Sequence, residues 1–195
     1  MKNQTSSLDL SHFPVMLNEI IEITAPSKGG SYIDCTFGGG SYSKELLKFP
    51  KTIVTGLDRD KTINVIAKKL KKEFPKRFKF YQIRFSQLDK VSKNHVDAVI
   101  FDLGLSSIQL KDMNRGFSFK SLKNLDMSMG LNKISAQEVV NNLSELDLKL
   151  IIKILGEEKE ASRIAKNIVK FRSEKKITKV NELVEIIEKS KKKIM

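Results

Sequence analysis

Gly38, Gly39 and Gly40 stand in succession between an apolar run, SYIDCTF, and a helix-like run, SYSKELLKF. A glycine turn at such a junction lets main-chain N–H groups and a helix N-terminus approach a ligand with no side chain between them. Gly38 and Gly40 match the start of a dinucleotide pattern, G-x-G-x-x-G, but Tyr42 and Ser43 follow in place of its third glycine. The phosphate-loop pattern ending in Gly-Lys-Ser/Thr is absent as well. Roughly 20 residues on, the run KTIVTGLD closes with Asp58. An acid at that place can accept both hydroxyls of a ribose. Its other use is to cap the helix KTINVIAKKL, a task open to Asp60 too. Phe85 ends the run FKFYQIRF and is placed either to stack on an adenine or to join the core. Asp102 ends HVDAVIFDLG, with a carboxylate that either reaches solvent at the centre of a cleft or caps a loop from within. The glycine turn and the acid together point to an adenosine-type ligand.

These residues need a scaffold that brings the ends of several strands together. SYIDCTF, KTIVTGLD, FKFYQIRF and HVDAVIFDLG read as strands, each a nearly continuous apolar run. PVMLNEIIEIT, SYSKELLKF and KTINVIAKKLKKEF read as helices, with Leu17, Ile20, Ile21 and Thr24 on one face of the first and Ile63, Ile66 and Leu70 on one face of the third. Alternating strands and helices of this kind predict an α/β fold, a doubly wound parallel sheet covered on both faces, with the first strand central and ligand at the carboxyl ends. From residue 134 the pattern is helical only. SAQE at 135–138 reads as a capping box, Gly156 as a helix stop, and Ala161, Ile164, Ala165 and Ile168 as one buried stripe. Val180, Leu183, Val184 and Ile187 form another. With no strand after the fourth, the sheet is expected to be incomplete, its fourth strand having an open edge.

Composition narrows the function classes. The chain of 195 residues has 36 Lys and Arg against 23 Asp and Glu, a net charge of +13 that favours a polyanion, nucleic acid first. Most of the bases are lysine, which codon bias also produces. The segment KKLKKEFPKRFK reads as a solvated helix face or a phosphate contact. Cys35 is the single cysteine, so neither an internal disulfide framework nor a cysteine zinc site is expected. His12 and His95 offer no metal-ligand cluster, and no metal is expected. No apolar run approaches the roughly 20 residues needed to cross a bilayer; an acidic membrane surface is the weaker competitor for the basic charge, and no membrane partner is expected.

The segments HFPVMLNEII, YIDCTFGGGSYS, GLDRD, DLGLSSIQLKDMNRGFSF, LDMSM and GEEKEASRIAKNIV, in this order and spacing, resemble the bacterial small-subunit ribosomal RNA cytosine N4-methyltransferase family, which has mitochondrial relatives. The resemblance implies a Rossmann-like methyltransferase core at 1–133, with a substrate loop at 102–133, and an inserted all-helical domain at 134–195. It implies S-adenosyl-L-methionine as cofactor and methylation of the N4 amine of a cytidine. The substrate would be small-subunit ribosomal RNA or the assembled small subunit. Gly38, Gly40, Ser41, Tyr42, Asp58, Phe85, Asp102 and Gln109 would line the cofactor. Asp102, Ser106 and Ser107 would serve the reaction, unless the serines only bond within their turn. Arg115, Phe117 and Phe119 would stack on unpaired RNA, or else anchor their loop. The setting would be the bacterial cytoplasm, with the mitochondrion as alternative, and a homodimer is allowed.

Four positions depart from the family pattern. Ser41 replaces a glycine, Ile108 a proline, and Ser128 and Gly130 stand where LDMRMD has its arginine and final aspartate. Family members also continue beyond this length, with further strands and a later SFHSLEDR-like segment. A fragment or a truncated product is therefore expected, and a non-catalytic RNA- or cofactor-binding module of the same fold is the alternative function.

Overall fold

The computed structural model describes residues 14–91, 95–131 and 134–191; His12 lies outside them. The chain divides into two compact units. The first runs as far as Ile108 and takes in Met129–Leu131; the second holds Gln109–Ser128 and the residues from Asn132 onward.

In the first unit, helix α1 (Leu17–Thr24) leads to strand β1 (Gly30–Asp34), helix α2 (Ser41–Leu47) and strand β2 (Thr52–Leu57). Helix α3 (Asn64–Glu73), strand β3 (Phe78–Tyr81) and strand β4 (Ala98–Ile100) follow. The four strands form one sheet in the order β3-β2-β1-β4, with every pairing parallel. β1 is interior, as expected, and the order reverses beside it, which places the crevice for a ligand at its carboxyl end. The register pairs Tyr32 with Val54 and Ala98, and Ile33 with Thr55 and Val99. Successive side chains of a strand point to opposite faces. Tyr32, Val54 and Ile100 accordingly face α1–α3, packing with Leu17, Leu46 and Leu70. Ile33 and Leu57 face the other way, against Ile83, Leu88 and Val91.

That second face differs from the expected covering of helices. Among the described residues, a 3-10 turn at Phe85–Lys90 is the helical segment nearest to it in sequence, and Ile53 and Val99 remain exposed. The strands are also shorter than the apolar runs. β1 stops at Asp34, whose Oδ1 accepts from Thr36 N at 3.3 Å, although Cys35 N still donates to the Ile100 carbonyl and Phe37 N to the Leu57 carbonyl, each at 2.9 Å. β4 is only three residues long and pairs with Tyr32–Asp34 of β1.

The second unit is helical. Helix α4 (Ser107–Lys111) straddles the division between the units, and α5 (Ala136–Asn142), α6 (Glu145–Ile154), α7 (Ala161–Glu174) and α8 (Val180–Ser190) follow. The capping box is present: Ser135 Oγ accepts from Glu138 N at 3.2 Å, and Glu138 Oε2 accepts from Ser135 N at 2.7 Å. α6 ends just before Gly156, as its place in the sequence indicates. α7 buries Ala161, Ile164, Ala165 and Ile168, the stripe read from its spacing. In α8, Val180 is buried as expected, but Ile186 is the other buried apolar residue, with Leu183, Val184 and Ile187 only partly covered. Among the described residues no helix is long and apolar enough to cross a membrane.

Candidate cofactor site

At the carboxyl ends of β1, β2 and β4 the first unit gathers the glycine turn, Asp58 and Asp102. Gly40 caps α2 with φ +74°, in the left-handed region that favours glycine. A β-carbon there would lie 2.7 Å from Cζ of Phe37, and one on Gly56 of β2 would lie 2.7 Å from Cδ2 of the same ring. The absence of a side chain at Gly40 therefore has an internal cause: a core phenylalanine fills the space beneath the turn. Gly38 and Gly39 are different. Atoms added there would meet nothing closer than 3.6 Å and 3.9 Å, so room remains beside the main chain for an incoming group. The neighbours across that room are Ser106 and Ile108, which brings the 102–108 segment opposite the turn.

Asp58 follows β2 and lies half-buried. Its Oδ2 accepts from Gly38 N at 2.8 Å and its Oδ1 from Asp60 N at 2.8 Å. Each oxygen keeps further lone pairs for hydroxyl donors. Burial raises the Asp58 pKa above its usual value, opposed by these backbone hydrogen bonds. The alternative role as helix cap falls to Asp60, whose Oδ1 accepts from Thr62 N at 3.1 Å and Thr62 Oγ1 at 2.9 Å. Asp58 is thus left facing the turn. Beside it, the segment Met129–Leu131 returns to the first unit: Arg59 Nε and Nη2 lie 3.2 and 3.0 Å from Met129 Sδ. Gly130 has φ +42°, and a β-carbon on it would collide with the Arg59 carbonyl and lie 2.9 Å from Lys61 N. No side chain fits at that position on this backbone, an aspartate included.

Asp102 is exposed, which removes the reading of a buried loop cap. Its main-chain N–H donates to Thr36 Oγ1 at 2.8 Å. Its Oδ2 lies 3.3 Å from Tyr42 Oη, which also lies 2.6 Å from the Val15 carbonyl oxygen. One phenolic proton serves one of these acceptors at a time, and the carbonyl is the nearer. Burial, and then the charge of Asp102, push the Tyr42 hydroxyl up to about 12, so it stays a donor. Tyr42 is buried and Ser41 half-buried at the start of α2.

Phe85 is exposed rather than part of the core, and meets Phe101 edge-on with ring centroids 5.6 Å apart. Phe101 escaped the sequence reading because it sits inside the strand-like run AVIFD, where an aromatic residue signals core. Ser106 and Ser107 are half-buried, Ser107 opening α4. Gln109, in the second unit, is only 6% exposed and has little surface to offer a ligand. Also in that unit, the Arg115 guanidinium lies 5.1 Å over the Phe117 ring and donates from Nη2 to the Ser128 carbonyl at 2.9 Å. Phe119 is 74% exposed.

A parallel sheet with a glycine turn after its central strand and an acid after the next one defines a Rossmann-like nucleoside-cofactor fold of the kind that methyltransferases use. Within that class the chain belongs to the MraW methylase family, whose model matches residues 9–194. It is similar to the ribosomal RNA small subunit methyltransferase H of Rickettsia canadensis (strain McKiel), 41% identical over 181 residues, which cover 92% of this chain and 59% of the relative. The protein of the same name from Ehrlichia canis (strain Jake) is 41% identical over 90% of this chain and 61% of its own length. That from Rickettsia bellii (strain OSU 85-389) is 41% identical over 90% of this chain and 58% of its own length. The chain thus spans about three fifths of the curated relatives it matches.

Proposed function

We propose that the protein is an S-adenosyl-L-methionine-dependent methyltransferase acting on the N4 amine of a cytidine in small-subunit ribosomal RNA, free or assembled. The observation that carries this reading is the meeting, in a chain of the MraW methylase family, of an open glycine turn, a half-buried Asp58 and an exposed Asp102 at neighbouring strand ends. The residues fit such a cofactor: the space beside Gly38 and Gly39 admits main-chain contact, and Asp58 retains acceptor capacity for ribose hydroxyls. Gly38, Gly40, Ser41 and Tyr42 would line the methionine end, and Phe85 the adenine.

When bound, the cofactor supplies an electrophilic methyl group. The cytosine amine is a poor nucleophile because its lone pair is delocalised into the ring, so the work of this chain is positioning. In this reading Asp102 accepts a hydrogen bond from the amine and takes the proton that N4 gives up. Ser106 and Ser107 hold the base edge. Arg115, Phe117 and Phe119 contact unpaired RNA through charge and stacking, and residues 134–195 form the helical insertion. The base reaches the cleft from a single strand or by flipping out. The net charge of +13 suits a ribosomal substrate, and the bacterial relatives suit a cytoplasmic setting.

The test joins calorimetric titration of the chain with S-adenosyl-L-methionine to transfer of labelled methyl groups onto small-subunit RNA and small subunits, followed by digestion to nucleosides. Saturable binding with label in N4-methylcytidine is expected. Label in another nucleoside, or no binding, overturns the reading. Binding without transfer favours a cofactor-binding module.

A further inference from the structure

Asp102 stands at the start of a run, Phe101–Leu105, in which every residue is exposed. A carboxylate on such a run has little to fix it. Two contacts reach it from outside the run: Tyr42 Oη lies 3.3 Å from its Oδ2, and its main-chain N–H donates at 2.8 Å to the hydroxyl oxygen of Thr36, 66 residues earlier in the chain. Thr36 lies two residues before the glycine turn and is itself held. Its own N–H donates to Asp34 Oδ1 at 3.3 Å, and Asp34 Oδ2 accepts from Ser43 Oγ at 2.7 Å. Asp34 and Ser43 are both fully buried. Ser43 belongs to α2, the helix that begins at the turn. Four residues, one on α2, one on β1 and two in the loops that follow β1 and β4, thus form one hydrogen-bonded chain, Ser43–Asp34–Thr36–Asp102, with its inner end in the core and its outer end at the exposed residue. β1 and β4 make their last ladder bond alongside, from Cys35 N to the Ile100 carbonyl at 2.9 Å.

We infer that Thr36 is a positioning residue of the site: its hydroxyl fixes Asp102 against the glycine turn, so that cofactor affinity depends on a group that touches no ligand. The inference rests on the proposed reading of this cleft as a cofactor site. Valine has nearly the shape of threonine but lacks the acceptor, whereas serine keeps it. Losing one such bond to a partly exposed N–H corresponds to about a fivefold to tenfold change in an equilibrium constant.

The experiment uses the full chain as wild type, Thr36→Val and Thr36→Ser, with two readouts. Calorimetry measures affinity for S-adenosyl-L-methionine, and amide hydrogen exchange by NMR measures protection at Asp102 in the ligand-free protein. Expected are about fivefold to tenfold weaker binding and faster exchange at the Asp102 amide in Thr36→Val, with both restored in Thr36→Ser. Should the valine variant melt earlier than wild type, Thr36→Ala replaces it in the comparison with serine. Wild-type binding with no loss in Thr36→Val, or a serine variant as weak as valine, overturns the inference while leaving the site reading intact. A wild type that does not bind overturns the site reading, and this inference with it.

Discussion

Asp34 precedes the glycine turn by four residues and Asp58 is hydrogen-bonded to its first glycine, and each is partly or wholly withdrawn from water. Asp34 has no exposed surface, and burial raises its carboxyl pKa to about 6, against the lowering effect of its bonds from Ser43 and Thr36. The sign of the stability effect follows. An acid whose pKa is higher folded than unfolded binds more protons in the native state between the two values, so stability falls as pH rises through that window. The window runs from the ordinary 3.8 to about 6, and the loss across it is on the order of 3 kcal/mol. All three tyrosines, Tyr32, Tyr42 and Tyr81, lie in the first unit, so tyrosine fluorescence follows its unfolding selectively. We expect the urea midpoint read this way to fall between pH 4 and pH 6.5 in the wild type. In Asp34→Asn, which cannot ionise, the fall should be much smaller; an equal fall in both would remove Asp34 as its source.

Among the elements, the junction of β1 and α2 carries the most constraint. Gly40 is held at φ +74° and its missing side chain is replaced by the Phe37 ring. Gly40→Ala should therefore destabilise the first unit by about 2–3 kcal/mol with no cofactor present. Phe37→Leu should recover part of that loss in a double-mutant cycle, because it retracts the colliding atoms. If instead the alanine variant is as stable as wild type and only binds cofactor less well, ligand approach and not packing dictates that glycine. The distinction bears on what was legible in the sequence. The strand–glycine–helix order, the interior place of β1, the α7 stripe and the Ser135 capping box all follow from local periodicity and capping chemistry, and the structure has them. Strand lengths did not follow, because the end of a strand is set by its partners in the sheet, which no local pattern reports. The cause of Gly40 and the bond from Asp102 to Thr36 were hidden for a related reason. Both join residues whose proximity comes from the sheet register and from no local pattern. Phe101 and Ile186 were missed because an aromatic in an apolar run, or one isoleucine among several on a helix, carries no mark of which side it faces.

Taken whole, the molecule has two compact units and two electrostatic habits. In the first unit the resolved carboxyl shifts, at Asp34 and Asp58, are both upward and caused chiefly by burial. In the second, those at Glu138, Glu158 and Glu182 are all downward and caused chiefly by hydrogen bonds to the ionised form. Glu182 is the strongest case, at about 2: its Oε1 accepts from Lys175 Nζ at 2.7 Å, and its Oε2 from the Thr178 and Lys179 amides at 2.9 and 3.0 Å, which caps α8. A lowered acid contributes stability above its unfolded pKa, and that contribution is lost as pH falls through the folded one. The units should therefore respond oppositely to acid. From pH 6.5 to 4.5 the first unit gains stability; from 4.5 down towards 2 the second loses it. Amide exchange at Val54 and Ile168, one in each core, should separate on this titration; parallel curves would show a single cooperative unit.

The ring of Phe37 has a consequence for how this sequence can change over time. It occupies the place of two side chains at once, those of positions 40 and 56, which lie on different elements. Replacement of either glycine meets the ring, whereas a smaller residue at 37 leaves a void that an alanine at 40 or 56 could begin to fill. Selection should thus treat positions 37, 40 and 56 as a linked trio, substituted together or not at all, while Gly39, where an added β-carbon would meet nothing closer than 3.9 Å, lies outside that trio.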